Sequence, residues 1–333
     1  MAQTHRALEI IVVDDGSTDD TPEILSALAR LDDRIRVLRQ SNQGIVGALN
    51  TGLSSAFGGD ASYIGRMDAN DVCRPDRIAL QVEYLEANAG VGLVGTWMRT
   101  LTPDGAATRR TWTPPELPGA VGWALHFGTA LVHASVVARR DVLVSARLED
   151  GSVYRREGVE HCEDYDLWAR LLQSSVRMAN VPQLLYERRD LSDGITPTQS
   201  EAQASRSLAI AHRVMGTLWN DTSRLDEARL LVSLHRRHRL SDVDAERAVD
   251  LLFELHRRFV ATYPLSASEQ AMVANDVTRK LWHLLWTPPA LGTPRLALAT
   301  RARVASRMVS PALAQSLLRL GRDAIQRRHA NAR

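Results

Sequence analysis

The residues best placed to do chemistry are acidic side chains gathered where apolar runs end. Glu9-Ile-Ile-Val-Val13 leads into Asp14 and Asp15, and Tyr63–Met67 leads into Asp68-Ala69-Asn70-Asp71. One carboxylate at the end of a strand is an ordinary turn former or helix cap. Two such clusters on strands of one sheet would also suit a hard divalent cation, because Mg2+ takes oxygen ligands, typically one or two carboxylates plus the phosphates of a substrate, and Mn2+ favours the same oxygen ligands. In the short run Asp68-Ala69-Asn70-Asp71, Asp68 and Asn70 can point to one side and leave positions open for a diphosphate. A third cluster, Glu163-Asp164-Tyr165-Asp166, opens the amphipathic stretch Leu167–Leu172. Acids at a helix start are favoured by the macrodipole. A carboxylate fixed there and facing the same cleft would equally suit a general base, since its pKa can be tuned.

These clusters need a scaffold, and the first 200 residues read as one. Strands are expected at 9–13, 35–38, 63–67 and 91–98. Helices are expected after Thr18 or Asp20, with Pro22 in the first turn, and over 44–56 and 75–87. Strands alternating with helices predict an α/β domain, a mostly parallel sheet with helices on both faces, whose strand carboxyl ends are where ligands bind. Residues 99–120, rich in Pro, Thr and Gly, read as a loop excursion. Beyond residue 200 the β signal stops, and helices are expected over 201–218, 224–239, 242–261 and 266–286, before a Pro-Pro break at 288–289. The charge changes at the same place. Residues 1–200 hold 20 Arg against 27 acids, net −7, and residues 201–333 hold 20 Arg and Lys280 against 12 acids, net +9. The expected domains are therefore 1–200 and a helical C-terminal region, 201–333.

Six ordered stretches carry a more specific signal: EIIVVDDGSTDDT (9–21), SNQGIVGALNTGL (41–53), YIGRMDANDVCRPDRIALQVEYLEAN (63–88), VGLVGT (91–96), HASVVARRDVL (133–143) and CEDYDLWARLL (162–172). Together they resemble family 2 glycosyltransferases, inverting enzymes of the GT-A fold (nucleotide-diphospho-sugar transferase, Rossmann-like), over about residues 9–190. The resemblance implies that Asp15 contacts the base of a nucleotide-sugar donor, with Asp14 beside it. Asp68, Asn70 and Asp71 would form the D-x-D-like metal motif holding Mn2+ or Mg2+ against the donor diphosphate, with Asn70 where the second carboxylate usually stands. Arg66 would lie near that diphosphate or pair with a neighbouring acid, and Asp164 would be the catalytic base. The family pattern also places an apolar strand, a Pro-x-Tyr-Asn-like turn and a helix before the E-I-I-V-V-D-D strand, so that strand and its base-binding loop are expected to be missing from this sequence. The activity implied is metal-assisted transfer from a UDP-sugar to a hydroxyl of a polysaccharide or a lipid-linked saccharide. The competing readings are a non-catalytic nucleotide-binding relative and a membrane-peripheral scaffold.

Composition excludes other classes. Of 333 residues, 44% are hydrophobic and 24% charged, ordinary for a folded protein, and no apolar run reaches the ~18 residues of a membrane span. Met1–Leu8 has no apolar core and predicts no signal peptide. Two distant cysteines, Cys73 and Cys162, predict buried thiols rather than a disulfide or zinc framework. There is no GxGxxG or P-loop pattern, and no motif for nucleic-acid binding. His133 and Trp168 read as core residues, and Trp282 and Trp286 as an inward helix face. From Arg295 to Arg333 there are nine Arg and one acid, with Leu313, Leu317, Leu320 and Ala324 along one helix face and Arg319, Arg322 and Arg327 flanking it. Such a helix can lie on an anionic membrane surface. The alternative is an ordinary solvated helix docked on the domain; the expected location is cytoplasmic in either case, and peripheral at the inner face of the plasma membrane in the first.

Overall fold

The structure is a computed structural model that describes residues 2–155, 157–190, 200–286 and 296–307. The chain divides into two compact units. One comprises Met1–Gly122 and Thr129–Ser207, the other Trp123–Gly128 and Leu208–Arg333.

The first unit is α/β. The run IIVVD forms β1 (Ile10–Asp14), followed by α1 (Thr21–Leu31) with Pro22 in its first turn, β2 (Ile35–Arg39) and α2 (Gly44–Phe57). β1 and β2 pair in parallel, Ile10 opposite Ile35, as a two-stranded sheet. The next elements are β3 (Tyr63–Gly65), β4 (Val72–Cys73), α3 (Arg77–Ala87), β5 (Val91–Leu101) and β6 (Ala107–Trp112). After α4 (Pro118–Ala124) come β7 (Val137–Arg139), α5 (Arg140–Ser145), α6 (Glu163–Gln173) and β8 (Arg177–Arg189). A six-stranded sheet runs β3-β7-β5-β8-β4, with β6 added on β5.

The expected mostly parallel sheet is corrected to a mixed one. β5 and β8 are parallel, whereas β3–β7, β5–β7, β4–β8 and β5–β6 are antiparallel. The continuous apolar run VGLVGT suggested a parallel strand. It reports burial, since Val91 to Thr96 are all buried, and burial on both faces leaves the same pattern whichever way the neighbours run. The expected loop at 99–120 contains the end of β5 and all of β6, joined by a tight turn in which Gly105 takes φ 92°. α3 is seated on the sheet by Ile78 and Leu85, which pack with Val91, Val94, Val137, Ala179, Val181 and Leu185. Cys73 is half-buried and Cys162 buried, and the two are not joined by a disulfide.

The second unit is helical. From Leu208 it takes the rest of α7 (Ser200–Trp219), then α8 (Leu225–His235), α9 (Asp242–Thr262), α10 (Ala267–Trp286) and α11 (Leu298–Arg307). Trp123 and Phe127 are buried among its rings, Trp123 edge-on to Phe259 and Phe127 stacked on His235. Lys280 is buried beside Asp276 and lies 4.4 Å from the Phe127 ring centre, and the Trp123 indole N–H donates to Asp276 at 2.8 Å. Trp282 and Trp286 do not face inward: they are 36% and 56% exposed. The buried stripe of α10 is Val273, Val277, Leu281 and Leu285, and the two tryptophans sit one residue, about 100° of helix, beyond it. Among the described residues no helix is long and apolar enough to cross a membrane. The expected basic helix carrying Leu313, Arg319 and Arg327, and the break at Pro288–Pro289, lie outside the described residues.

Candidate active site

The chain leaves β3 into the Arg66–Asp71 loop, which is fixed from below. The Arg66 N–H donates to the Val136 carbonyl at 2.9 Å, and its own carbonyl accepts from Arg77 Nη1 at 3.1 Å. Arg77 is only 3% exposed, and its guanidinium lies 5.6 Å from the centre of the Tyr186 ring. Tyr186, fully buried on β8, donates its hydroxyl to Asp71 Oδ2 at 2.7 Å and accepts the Asp68 N–H at 3.3 Å. Asp71 Oδ1 accepts the Arg189 N–H at 2.9 Å. Both oxygens of Asp71 are therefore engaged, and burial raises its pKa. Asp71 anchors the loop, while Asp68 faces out, in an ion pair with Arg66 at 2.6 Å, and Asn70 is exposed.

Asp164 is the second residue of α6. Its Oδ1 accepts the Tyr165 N–H at 2.7 Å. Burial, and secondarily the neighbouring Glu163 carboxylate, push its pKa up to about 6, against the opposing pull of the Tyr165 N–H and the Arg66 cation. The helix start is rigidly held. Asp166, fully buried, is ion-paired to Arg170 at 3.0 Å and to Arg155 at 3.6 Å, and Arg170 donates to the Ala146 carbonyl at 2.8 Å. His161, just before the helix, takes a left-handed φ of 64°, a conformation of appreciable cost for a residue other than Gly.

Arg66 joins these two groups electrostatically. Its charge acts on Asp164, on Tyr154 and on His133, whose imidazole burial keeps neutral. His133 Nε2 is 2.8 Å from the Tyr154 hydroxyl, and its ring lies edge-on to Trp168. Tyr154 is placed from α2: Asn50 Oδ1 accepts the Val153 and Tyr154 N–H groups at 3.1 and 2.9 Å, and its amide donates to the Tyr154 carbonyl at 2.9 Å. Arg66, Asp68 and Asp164 thus share one neighbourhood, with Asp71 behind it.

Asp14 and Asp15 form a second group at the end of β1, without a hydrogen bond or ion pair to Arg66, Asp68 or Asp71. Asp14 is 3% exposed and holds its own turn: Oδ1 accepts the Ser17 N–H at 2.9 Å, and Oδ2 lies 3.5 Å from Arg39. Asp15 accepts from the Gln40 side chain at 2.6 Å and from the Gln43 N–H at 2.9 Å. Gly16 lets the two turns touch. Its φ is 81°, and a Cβ there would fall 2.8 Å from the Asn42 nitrogen.

The chemistry of the loop can be set against a divalent ion. Among the described residues no three acid, His or Cys side chains come together as a metal cage. With Asp71 engaged, the loop offers the Asp68 carboxylate and the Asn70 amide oxygen. That set fits a hard ion that takes its remaining ligands from a bound diphosphate and water, and does not fit one held by protein alone. Tyr186, Arg77, Asn50 and Tyr154 went unrecognised in the sequence. Tyr186 lies 115 residues beyond Asp71 and Asn50 lies 104 before Tyr154, while Arg77, 11 residues beyond Arg66, holds a backbone carbonyl, so no local spacing marks them.

Residues 1–159 match the family described as Glycosyl transferase family 2. An uncharacterized glycosyltransferase of Haemophilus influenzae is 30% identical over 195 residues, 56% of this chain and 58% of that protein. A chondroitin synthase of Pasteurella multocida is 25% identical over 236 residues, 68% of this chain and 23% of that protein. The amylovoran biosynthesis glycosyltransferase AmsE of Erwinia amylovora is 29% identical over 227 residues, 65% of this chain and 81% of that protein. The chain spans less than two thirds of the length of the first two relatives. The order of its motifs, the α/β unit that carries them and these relatives agree: over residues 1–159, just under half of its length, the chain matches glycosyl transferase family 2.

Proposed function

We propose that this chain transfers a sugar, with inversion, from a nucleotide-sugar donor, a UDP-sugar, to a hydroxyl of a polysaccharide or lipid-linked saccharide at the membrane surface. The observation that carries this reading is the Asp164 carboxyl, poised at a pKa of about 6 at the start of α6 beside the Arg66–Asp68 pair. A base is most effective when its pKa lies near the working pH. Asp164 removes the proton from the acceptor hydroxyl, and the oxygen attacks the anomeric carbon on the face opposite the leaving diphosphate. One displacement inverts that centre, so an α-linked donor gives a β-linked product. Arg66 meets the charge that grows on the leaving group, and Asp15 takes a hydrogen bond from the base of the nucleotide. Asp68 and Asn70 hold Mn2+ or Mg2+ when the donor is bound, and the ion supplies neutralisation of the diphosphate. Asp14 and Asp71 act as positioning residues for the two loops. Relatives named for chondroitin and amylovoran synthesis support a polysaccharide acceptor.

The test is thermal unfolding of the full chain with UDP, GDP or dTDP, each with and without Mn2+, since a ligand of the folded state raises Tm by mass action. A metal-dependent shift with one nucleotide, lost in Asp68→Asn, is expected. Absence of any shift overturns the reading.

A further inference from the structure

The two tryptophans that α10 turns outward are part of a larger face. Arg279, Trp282 and Trp286 follow one another at three and four residues, a single stripe of the helix, with the rings of Trp282 and Trp286 5.6 Å apart. α11 extends it: the Arg301 guanidinium lies 4.7 Å from the centre of the Trp286 ring, and Leu298, on the same face one turn earlier, is 84% exposed. Among the described residues, three acids of α9 and α10 are engaged. Asp276 is paired with Lys280 and Arg279, Glu246 with Arg303, and Asp242 accepts the Ala297 N–H at 3.0 Å. What remains presented is aromatic, aliphatic and cationic.

We propose that this face of α10 and α11 docks on an anionic lipid bilayer. Exposed large apolar side chains in a cluster mark an interaction surface rather than ordinary exposure. Indole rings prefer the depth of the lipid headgroups, and arginines beside them are drawn to anionic lipid. The sequence adds charge complementarity, since residues 201–333 carry a net +9. Leu298 favours acyl chains over nucleobases, which decides against a nucleic acid as occupant. The proposal rests on the membrane-bound acceptor for its meaning, and its test is independent of turnover.

The experiment is co-sedimentation of the full chain with vesicles of phosphatidylcholine alone or with phosphatidylglycerol, and with the same vesicles carrying brominated acyl chains that quench tryptophan. Binding is expected only to the anionic vesicles, with quenching, and about tenfold weaker in Trp282→Ser/Trp286→Ser and weakened also in Arg301→Glu. No binding, binding unchanged in the double variant, or binding without quenching overturns the proposal. So does self-association or RNA binding that the tryptophan variant abolishes while vesicles are ignored. Nucleotide-dependent thermal shifts measured on the same samples separate this surface from the transferase reading: the shift survives if only the surface is wrong.

Discussion

Replacing Asp164 by Asn removes a charge that the fold pays to bury. The Asp164 pKa lies at about 6 against a usual 3.8, a difference equivalent to about 3 kcal/mol at 1.36 kcal/mol per pH unit. Water reaching the half-buried carboxylate reduces this to about 1–3 kcal/mol. The sign follows from proton linkage. Above about pH 6 the group is charged in the folded and unfolded chains, and the folded state bears the full cost. Below about pH 4 it is neutral in both, and the cost vanishes. Asn keeps the shape and the acceptor for the Tyr165 N–H without the charge. Urea unfolding is therefore expected to show Asp164→Asn more stable than the parent by about 1–3 kcal/mol at about pH 8, with the gap closing towards about pH 4. Turnover, read as nucleoside diphosphate release, falls by about 10^2–10^4 while nucleotide binding persists. A variant less stable than the parent at about pH 8, or a gap that does not close in acid, refutes the assignment of a base whose charged form the fold disfavours.

The same titration predicts that kcat/KM of the parent rises with pH through about 6 and levels above it, read from a pH–rate profile. Tyr186→Phe leaves the buried Asp71 without its Oδ2 donor, and should cost about 1–3 kcal/mol in thermal unfolding and weaken the Mn2+-dependent nucleotide shift. Gly16→Ala forces a left-handed residue to place its Cβ against Asn42, costing about 1–2 kcal/mol or more by chemical unfolding and diminishing nucleotide binding. Lys280→Ala takes one of two cations from the half-buried Asp276, which keeps Arg279, and should lower stability by about 1–3 kcal/mol in the same measurement.

Local pattern made most of the scaffold legible. The β-branched run at 10–14, the Pro22 helix start and the apolar period of 77–87 lie in the sequence because each is decided by neighbours within a few residues. Strand direction is not decided there, which is why β7, set antiparallel between β3 and β5, and the β5–β6 hairpin escaped a reading based on burial. Acid-rich strand ends were equally legible, yet spacing cannot say which acid faces out. Asp68 and Asp71 lie three residues apart, and the Tyr186 hydroxyl and the Arg189 N–H, 115 and 118 residues beyond Asp71, turn one inward and leave the other for chemistry. Helix faces failed by a single step: Trp282 and Trp286 are apolar and regularly spaced, but the neighbouring Leu281 and Leu285 take the core.

The six residues Trp123–Gly128 give the helical unit an unusual order of assembly. The indole of Trp123 meets Asp276 across 153 positions of chain. On the ribosome, Trp123 and Phe127 emerge before α9 and α10 exist to receive them. A gene cut at residue 200, where the charge and the end of the β signal set the expected boundary, would encode those rings without their berth. The seam visible in the one-dimensional text is thus crossed in time. The helical unit cannot finish closing until α10 has been made, and long-range closure of this kind slows folding.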